Sequence, residues 1–394
     1  MVDNWISEIE KLAEIALIEP HVAYSAFVHG YQHKFTFVMR TIPDISGHFK
    51  CLDEVITKKL IKNIFNRESS EVERKLFALP VRLGGLGILI PSEMCKIQYK
   101  NSIEVTKQLV TQVVNQLEFL ELNEKKVKSV KNDIKTEKVR RNAEKLKEIR
   151  GMLNGEQIRV LDSVSEAGAS NWLNALPLND YGFLLHKQSF RDALFLRYGI
   201  RLKRLPQKCV CGAAFDEIHA LNCSRGGFVI IRHNDLRDLT ADLLAEVHKD
   251  VSVEPKMSEL TGEEFVRKST TTENDARYDV SVRGFWVRGR KAFLDIRVFN
   301  PMAKSYTKRS LASVYNMLES SKKNKYNERI LNVDHGSFTP LVFSCYGGMG
   351  TEAKRFYHQL SEKISEKRND PISITTNWVR TKISFSLIRS TLLF

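Results

Sequence analysis

The stretch ARYDVSVRGFWVRGRKAFLDIRVFNP, residues 276–301, contains two short runs in which apolar residues alternate with other residue types. A segment rich in glycine and arginine divides the runs, so the pattern predicts two adjacent strands. The first run contains Asp279 and the second contains Asp295. Side chains alternate between the two faces of a strand, which places Arg297 on the same face as Asp295. A charged pair on that face indicates either an exposed sheet edge or a functional site.

The sequence around this stretch predicts a series of helices and strands. Asn234 is the predicted start of the first helix, and Thr351 is the predicted N-cap of the last, where free amides could hold a phosphate. This order predicts an α/β core. The predicted elements are helix 234–248, strands 251–254, 278–283 and 292–299, helix 308–325, strand 339–344 and helix 352–367.

The sequence upstream of the core predicts helices. Residues 5–120 have one break, LPVRLGGLGILIPSE at 79–93, whose glycines lack the spacing of a dinucleotide-binding loop and indicate a tight packed turn. The fold class predicted for the chain is therefore multidomain, with an all-α N-terminal region before the α/β core. The predicted segments are a helical region at 1–123, a basic helical arm at 124–150, a helical linker at 151–205, a cysteine-rich segment at 206–226 and the α/β domain at 227–394.

The charge balance predicts a polyanionic partner. The chain has 61 Lys and Arg against 47 Asp and Glu, a formal charge of +14, and nucleic acid is the first candidate. The segment 124–150 holds 11 basic and 5 acidic residues, and its apolar residues recur at helical spacing. It is either a solvated helix or an arm that tracks phosphates, with Lys138, Arg140 and Arg141 as candidate contacts.

The N-terminal sequence lacks a basic segment followed by an apolar run, and no stretch of about 18 apolar residues occurs in the chain. We therefore predict an intracellular protein that is not embedded in a membrane. A reducing compartment fits the cysteines Cys51, Cys95 and Cys345, which are scattered and read as small buried residues.

Three other cysteines cluster with a histidine in CVCGAAFDEIHALNC. Cys209, Cys211, His219 and Cys223 are the residue types that tetrahedral zinc requires, and Gly212 permits a tight turn after the first pair. Because these residues already make four ligands, the pattern predicts a structural zinc site and not a catalytic one. The alternative is three buried cysteines that cluster by chance.

Two carboxylates on neighbouring strands suit a divalent metal. Oxygen ligands favour Mg²⁺ or Mn²⁺, and Mg²⁺ keeps several waters and binds substrate phosphates directly. Such a metal can activate water and stabilise the charge on a cleaved phosphodiester. Glu246 on the preceding helix could be a further ligand, although a solvated glutamate is the plainer interpretation. The alternative for Asp279 and Asp295 is that both are surface residues paired with Arg277 and Arg297.

The arrangement resembles the PD-(D/E)xK nuclease fold, in which a lysine follows the second acid after one intervening residue. Arg297 occupies that place here, and an arginine can stabilise a phosphate but cannot act as a base. The wider chain resembles the carboxy-terminal half of a non-LTR retrotransposon protein of the restriction-like endonuclease class, most specifically from 168 to 350. The motifs that carry this resemblance are LPVRLGGLGI, GASNWLNALPL, FRDALFLRYG, CxC…HxxxC, RHN, RxD, FLDIRV and KKNKY.

The resemblance implies roles for particular residues. In that class the catalytic lysine lies on the helix after the second acid, a place that Lys322 or Lys323 matches, and Lys325 is near enough to leave the choice open. The region at 79–93 then corresponds to the thumb that follows a reverse transcriptase palm. The [FY]xDD turn of a palm needs adjacent aspartates, and this sequence has no such pair, so no polymerase activity is expected from this chain.

Two functions are therefore predicted as alternatives. The first is a metal-dependent endonuclease that nicks DNA, with Asp279 and Asp295 as metal ligands, a lysine at the site and Arg297 on the scissile phosphate. The second is a nucleic-acid-binding remnant with an inactive nuclease fold. In both, DNA is the expected partner, retroelement RNA is a second candidate partner, and a nuclear location is expected. The further candidate nucleic-acid contacts are Arg232, His233 and Arg277.

Overall fold

The computed structural model describes residues 1–116, 124–203 and 205–393. The predicted boundary at residue 123 and the end of the first helical region at 120 lie outside these residues. The chain forms two compact units, one of Met1–Ile158 with Leu176–Leu194 and the other of Arg159–Ala175 with Phe195–Phe394. The predicted linker at 151–205 thus contributes residues to both units. No helix in the described ranges is both long and apolar enough to cross a membrane.

The first unit is built from helices, as the sequence predicts. Aromatic side chains fill part of its core, where the ring of Phe35 lies 5.0 Å from that of Trp5 and 6.2 Å from that of Phe49. The basic segment is one long helix that ends this series. The helices are α1 (Val2–Ile18), α2 (Pro20–His29), α3 (Thr36–Thr41), α4 (Lys50–Val55), α5 (Lys62–Phe65), α6 (Glu71–Phe77), α7 (Pro91–Val114) and α8 (Glu124–Met152).

The break between α6 and α7 is a packed turn, which confirms the prediction for this stretch. Gly85 approaches the chain so closely that a Cβ there would lie 1.9 Å from the carbonyl oxygen of Leu79. The buried guanidinium of Arg74 donates hydrogen bonds to the carbonyls of Ile88 at 2.9 Å and Leu89 at 2.8 Å. These bonds satisfy carbonyls that no helix or strand pairs, so they hold the turn in one conformation.

The second unit contains a four-stranded mixed sheet flanked by helices. The strands β1 (Val251–Val253), β2 (Val280–Arg283), β3 (Lys291–Phe299) and β4 (Ser337–Ser344) lie in sequence order. The first three are antiparallel neighbours, whereas β3 and β4 are parallel. A parallel pair needs a crossover, which α14 supplies. The remaining helices of the chain are α9 (Gly155–Val164), α10 (Asn171–Asn174), α11 (Lys187–Arg197), α12 (Glu217–Ala220), α13 (Phe228–Ala245), α14 (Leu311–Asn332), α15 (Thr351–Arg368) and α16 (Ile372–Thr391).

The strand β3 is buried on both faces, and each face packs against different helices. Leu294 and Ile296 belong to the main core, which also contains residues of α13, α15 and α16. On the opposite face, Phe293 packs with residues of α14 near its end, and Phe299 packs with residues nearer its start. Asp295 and Arg297 therefore lie between two apolar clusters that join β3 to α14.

One helix starts earlier than predicted, another, predicted at 308–325, spans Leu311–Asn332, and a third was missed. The helix predicted to start at Asn234 begins at Phe228, after Gly227 with φ +79°. The stretch Phe228–Ile231 is an apolar run, which does not by itself distinguish strand from helix. The last helix, α16, buries several threonines and serines among its apolar residues, so its sequence lacks a clear helical stripe.

The start of α15 differs from the predicted phosphate site. Gly350, and not Thr351, is the N-cap residue. The carboxylate of Glu319 accepts a hydrogen bond of 3.0 Å from the amide of Glu352, in the first turn of α15. A protein carboxylate thus occupies the positive end of this helix, and that negative charge opposes a bound phosphate there.

Candidate functional site

Asp279 lies directly before β2 and connects three elements of the second unit. Its Oδ2 accepts a hydrogen bond of 3.0 Å from Nε2 of His233, on α13. The same oxygen accepts a bond of 2.5 Å from the amide of Ile296, in β3. This amide belongs to the residue after Asp295, so the carboxylate of Asp279 is held beside the second aspartate.

Asp295 is buried in the middle of β3 and faces α14. It is 5% exposed, and its Oδ2 lies 2.6 Å from Nζ of Lys322. This ion pair with Lys322 compensates the charge of the buried carboxylate.

The position of Lys322 resolves the choice among the three lysines. Leu318, Lys322 and Tyr326 are spaced four residues apart on α14, so they share one helix face. Leu318 and Tyr326 are buried in the two apolar clusters against β3. The intervening lysine must then point at the strand, where it meets Asp295.

The other two lysines have different partners. Lys323 forms an ion pair with Glu352 of α15. The ammonium of Lys325 lies 5.1 Å from the centre of the Tyr326 ring. Arg297 lies on the Asp295 face of β3 as predicted, and its Nη2 donates to the hydroxyl of Tyr306 over 3.4 Å.

The pKa shifts show that the two aspartates interact. Burial raises the pKa of Asp295, the ammonium of Lys322 opposes this rise, and the negative charge of Asp279 adds to it. Burial lowers the pKa of His233, but its hydrogen bond to Asp279, the negative charges of Asp279 and Asp295 and its contact with Asn234 together outweigh burial and raise that pKa above its ordinary value. The site therefore gathers two acids whose charges repel, with two basic groups that offset part of the repulsion.

Three other candidate residues lie away from this centre. Arg232 is 1% exposed and donates to the carbonyl of Leu221, so in this conformation it does not reach a nucleic acid on the surface. Arg277 is exposed and donates to the carbonyl of Glu254. Glu246 directly follows α13 and pairs with Arg368 at 2.6 Å.

The contact between His233 and Asp279 was not anticipated. From the sequence, His233 was predicted to be either a nucleic-acid contact or a helix-capping or packed histidine, and it was placed before the helix. Because α13 begins at Phe228, His233 lies in its second turn and faces the start of β2. The HN dipeptide alone carries no signal for this pairing, which depends on how α13 packs on the sheet.

We expect Asp295→Asn to stabilise the metal-free protein at neutral pH. A carboxyl whose folded pKa is raised contributes most stability below its unfolded pKa of about 4, and this contribution is lost as pH rises through the folded pKa. The asparagine side chain carries no charge, so the variant does not lose this stability as pH rises. Its melting temperature should therefore exceed that of the wild type by a few degrees at pH 7.5, and the gain should vanish near pH 4. Calorimetry in EDTA measures this; a lower melting temperature at pH 7.5 would show that the Asp295–Lys322 pair is a stabilising ion pair.

The cysteine-rich segment brings its four candidate ligands together. One ligand atom from each of Cys209, Cys211, His219 and Cys223 lies within 4.8 Å of the others, so the cluster could bind a metal such as zinc. The sulfurs of Cys209 and Cys223 are 3.7 Å apart, and that of Cys211 is 3.3 Å from Nε2 of His219. Tetrahedral zinc with ordinary bond lengths requires about 3.8 Å and about 3.6 Å for these separations. These two separations are close to those of a zinc site.

Local backbone structure explains how a CxC pair can contribute both ligands. Gly212 has φ +88°, and Cys209 donates its amide to the carbonyl of Ala213 at 2.9 Å, which closes a tight turn. The carboxylate of Asp216 caps α12 by accepting from the amide of His219 at 2.6 Å. The turn and the capped helix thus face each other across the cluster.

The amides near Cys223 also favour a thiolate. Desolvation raises the pKa of this thiol, but the amides of Gly226 and Arg225, together with hydrogen bonds to Cys209 and Cys211, outweigh that effect and lower the pKa to about 7. Zinc binds the thiolate form of cysteine. Among the described residues, this cluster is the one group of three or more such ligands close enough to share an ion. The aspartate pair offers two carboxylates and would leave the remaining coordination to water or substrate.

The basic helix α8 shows only part of its predicted interface character. Ile149 is its one buried residue in the described chain. Arg140 pairs with Glu137 at 2.7 Å and with Glu144 at 2.5 Å, so its charge is largely compensated within the helix. Lys138 and Arg141 form no such ion pair in the described ranges and remain candidates for phosphate contact.

No protein-family model matches the chain, and no curated protein matches it significantly.

Proposed function

We propose that this chain is a metal-dependent endonuclease that nicks DNA. The observation that carries the proposal is the placement of Asp295 beside Asp279, with Lys322 of α14 at 2.6 Å. Two acids and a lysine that converge from neighbouring strands and the next helix are also what the resemblance to the PD-(D/E)xK fold implies.

Each residue of the site has a role in this proposal. Asp279 and Asp295 hold Mg²⁺ or Mn²⁺, and the bound metal supplies Lewis acidity and an activated water. The ammonium of Lys322, beside Asp295, stabilises the negative charge that develops on the cleaved phosphate. His233 fixes the carboxylate of Asp279 through Oδ2, which restricts how that side chain can turn toward a ligand. Lys323, engaged by Glu352, has no direct part.

Arg297 acts in this proposal as a clamp on the scissile phosphate. We expect Arg297→Lys to keep partial activity, because lysine retains the charge but loses the forked geometry that binds two phosphate oxygens. The readout is the rate of nicking under saturating DNA, with the affinity for DNA measured separately. A variant more active than the wild type would show that the site needs a lysine at this position.

The resemblance also supplies the wider context. A structural zinc at the cysteine cluster would order the segment 206–226 ahead of the nuclease domain at 227–394. DNA is the proposed substrate, retroelement RNA is a second proposed partner, and the proposed location is nuclear. The net charge of +14 supports a polyanionic partner of either kind.

A nucleic-acid-binding remnant with an inactive nuclease fold is the second candidate. The observation that favours it is that both acids already have partners within the protein, namely His233 and Ile296 for Asp279 and Lys322 for Asp295. An ion-paired cluster of this kind also occurs in structures without catalytic function. Cleavage therefore has to be measured directly.

The test is incubation of supercoiled plasmid with the purified protein in Mg²⁺, Mn²⁺, Ca²⁺ or EDTA. The proposal predicts conversion to the open circle in Mg²⁺ or Mn²⁺ and none in EDTA. Binding of the same plasmid in Ca²⁺, measured by gel shift, serves as the control for a folded and DNA-competent protein. Binding without nicking under every metal would establish the binding remnant in place of the nuclease.

A further inference from the structure

The first unit contains a cleft that none of the predicted sites used. It has a volume of about 470 Å³ and lies between α8 on one side and the 3₁₀ turn Tyr31–Phe35, α3, α7 and the turn after α6 on the other. Small-molecule sites in proteins typically have volumes of about 300–1,000 Å³. The cleft is therefore large enough for one nucleotide but far too small for a double helix.

The rim of the cleft is cationic. Lys138, Arg141 and Lys145 line it from α8, and their spacing of three and four residues puts them on one helix face. Arg40 lines it from α3. The single carboxylate in the lining, Glu93, is paired with Lys145, which leaves the charges of the other three cations uncompensated by carboxylates of the cleft.

The floor of the cleft is apolar and rigid. It is formed mainly by the packed turn, whose carbonyls Arg74 holds, and by the first turn of α7. An apolar floor of fixed shape accepts the face of a flat base, while the rim accepts phosphate oxygens. The apolar residues of the floor are Val28, Leu79, Pro80, Leu89, Ile90 and Met94.

We propose that this cleft binds one unstacked nucleotide of a single-stranded nucleic acid, with Lys138, Arg141 and Arg40 on the flanking phosphates. The inference rests on the nucleic-acid-binding part of the proposed function and is independent of cleavage. It assigns a specific face of α8 to the strand, whereas Arg140, which pairs with Glu137 and Glu144, lies outside the cleft lining. A free nucleotide offers the same chemistry with fewer phosphates.

The decisive comparison uses two double charge reversals on the same helix. Lys138→Glu with Arg141→Glu removes two cations of the rim, and Lys131→Glu with Lys135→Glu makes the same change at exposed positions outside the cleft. We expect the rim variant to lose about tenfold or more in affinity for a fluorescent single strand at about 150 mM salt, because two phosphate contacts become repulsive. The control should lose no more than about threefold.

Titrations with four different ligands distinguish the possible sources of the nucleotide. Labelled single-stranded DNA, single-stranded RNA, duplex DNA and a mononucleotide are each titrated by anisotropy. Binding of the single strands that only the rim reversal weakens supports the proposal. Equal losses of affinity in both variants would indicate diffuse charge attraction. A mononucleotide bound as tightly as the strands would indicate a nucleotide pocket, and an effect confined to duplex DNA would indicate a groove contact. Each of these three results overturns the inference.

Two further measurements check that the variants fold and that the strand lies in the cleft. Melting curves of both variants should match the wild type, since Lys138 and Arg141 are not part of the core. If the rim reversal fails to fold, Lys138→Gln with Arg141→Gln replaces it, with an expected loss of at least about fivefold. A photoreactive 4-thiouridine strand should cross-link to peptides from 78–98. A wild type that binds strands without such cross-links would contradict the cleft while leaving the proposed nuclease untouched.

Discussion

Replacement of Asp279 or Asp295 by alanine should abolish metal-dependent nicking while DNA binding stays nearly intact. Either change removes one of two side chains proposed to hold the metal, and a catalytic metal contributes several kcal/mol to charge stabilisation in the transition state. The expected loss of rate is therefore at least about a thousandfold. Binding should be preserved, because the charge removed is one that repels the phosphates of DNA. Both quantities are measured on the same plasmid, as nicking in Mg²⁺ and as gel shift in Ca²⁺.

Asp275→Ala is the matched control for these substitutions. Asp275 lies four residues before Asp279, and its side chain is 98% exposed. The change has the same size and the same loss of charge, so it should leave nicking within about twofold of the wild type. Equal nicking by the wild type and by Asp295→Ala would identify a contaminating nuclease and would contradict the proposal that this protein is an endonuclease.

Loss of the zinc ligand Cys223 should have the second large effect. Zinc binding at such small sites contributes on the order of 10 kcal/mol at neutral pH, and that binding free energy is also folding free energy. We expect the wild type to contain one zinc per chain and Cys223→Ser to contain none. The variant should also become sensitive to proteolysis within 206–226, whereas the metal dependence of nicking should be retained.

Cys51→Ser is the control for the elemental analysis and limited proteolysis of Cys223→Ser. Cys51, which was wrongly predicted to be buried, is an exposed free cysteine of the first unit. It is remote in sequence from the cluster, so its replacement should change neither zinc content nor proteolysis. Wild-type protein purified without chelators and found free of zinc would count against the metal site. The four residues would then be reduced cysteines and a histidine that pack together.

Strand periodicity located much of the candidate site in advance. The alternation around Asp279 and Asp295 was enough to predict β2 and β3, and the face shared by Asp295 and Arg297 follows from the same period of two. The prediction that the cysteines and His219 converge was confirmed as a cluster able to bind a metal. Such short-range patterns are informative because the spacing itself fixes the geometry.

Other features depend on how the helices pack on the sheet, which residue spacing alone does not reveal. Lys322 could have been distinguished from Lys323 only with the knowledge that the face of α14 carrying Leu318 and Tyr326 covers β3. The burial of Arg232 and the contact from His233 to Asp279 follow from the position of α13 on the sheet. A fully buried arginine cannot be told from a surface arginine by residue type alone.

The measurement that tests the central claim most directly is anomalous scattering from crystals soaked in Mn²⁺. The claim is that Asp279 and Asp295 hold the catalytic metal. It predicts an anomalous peak within about 2.3 Å of an oxygen from each aspartate, absent from crystals of Asp295→Ala soaked in the same way. Crystals of an actively nicking wild type that bind Mn²⁺ elsewhere, or in which the peak persists in Asp295→Ala, would contradict it.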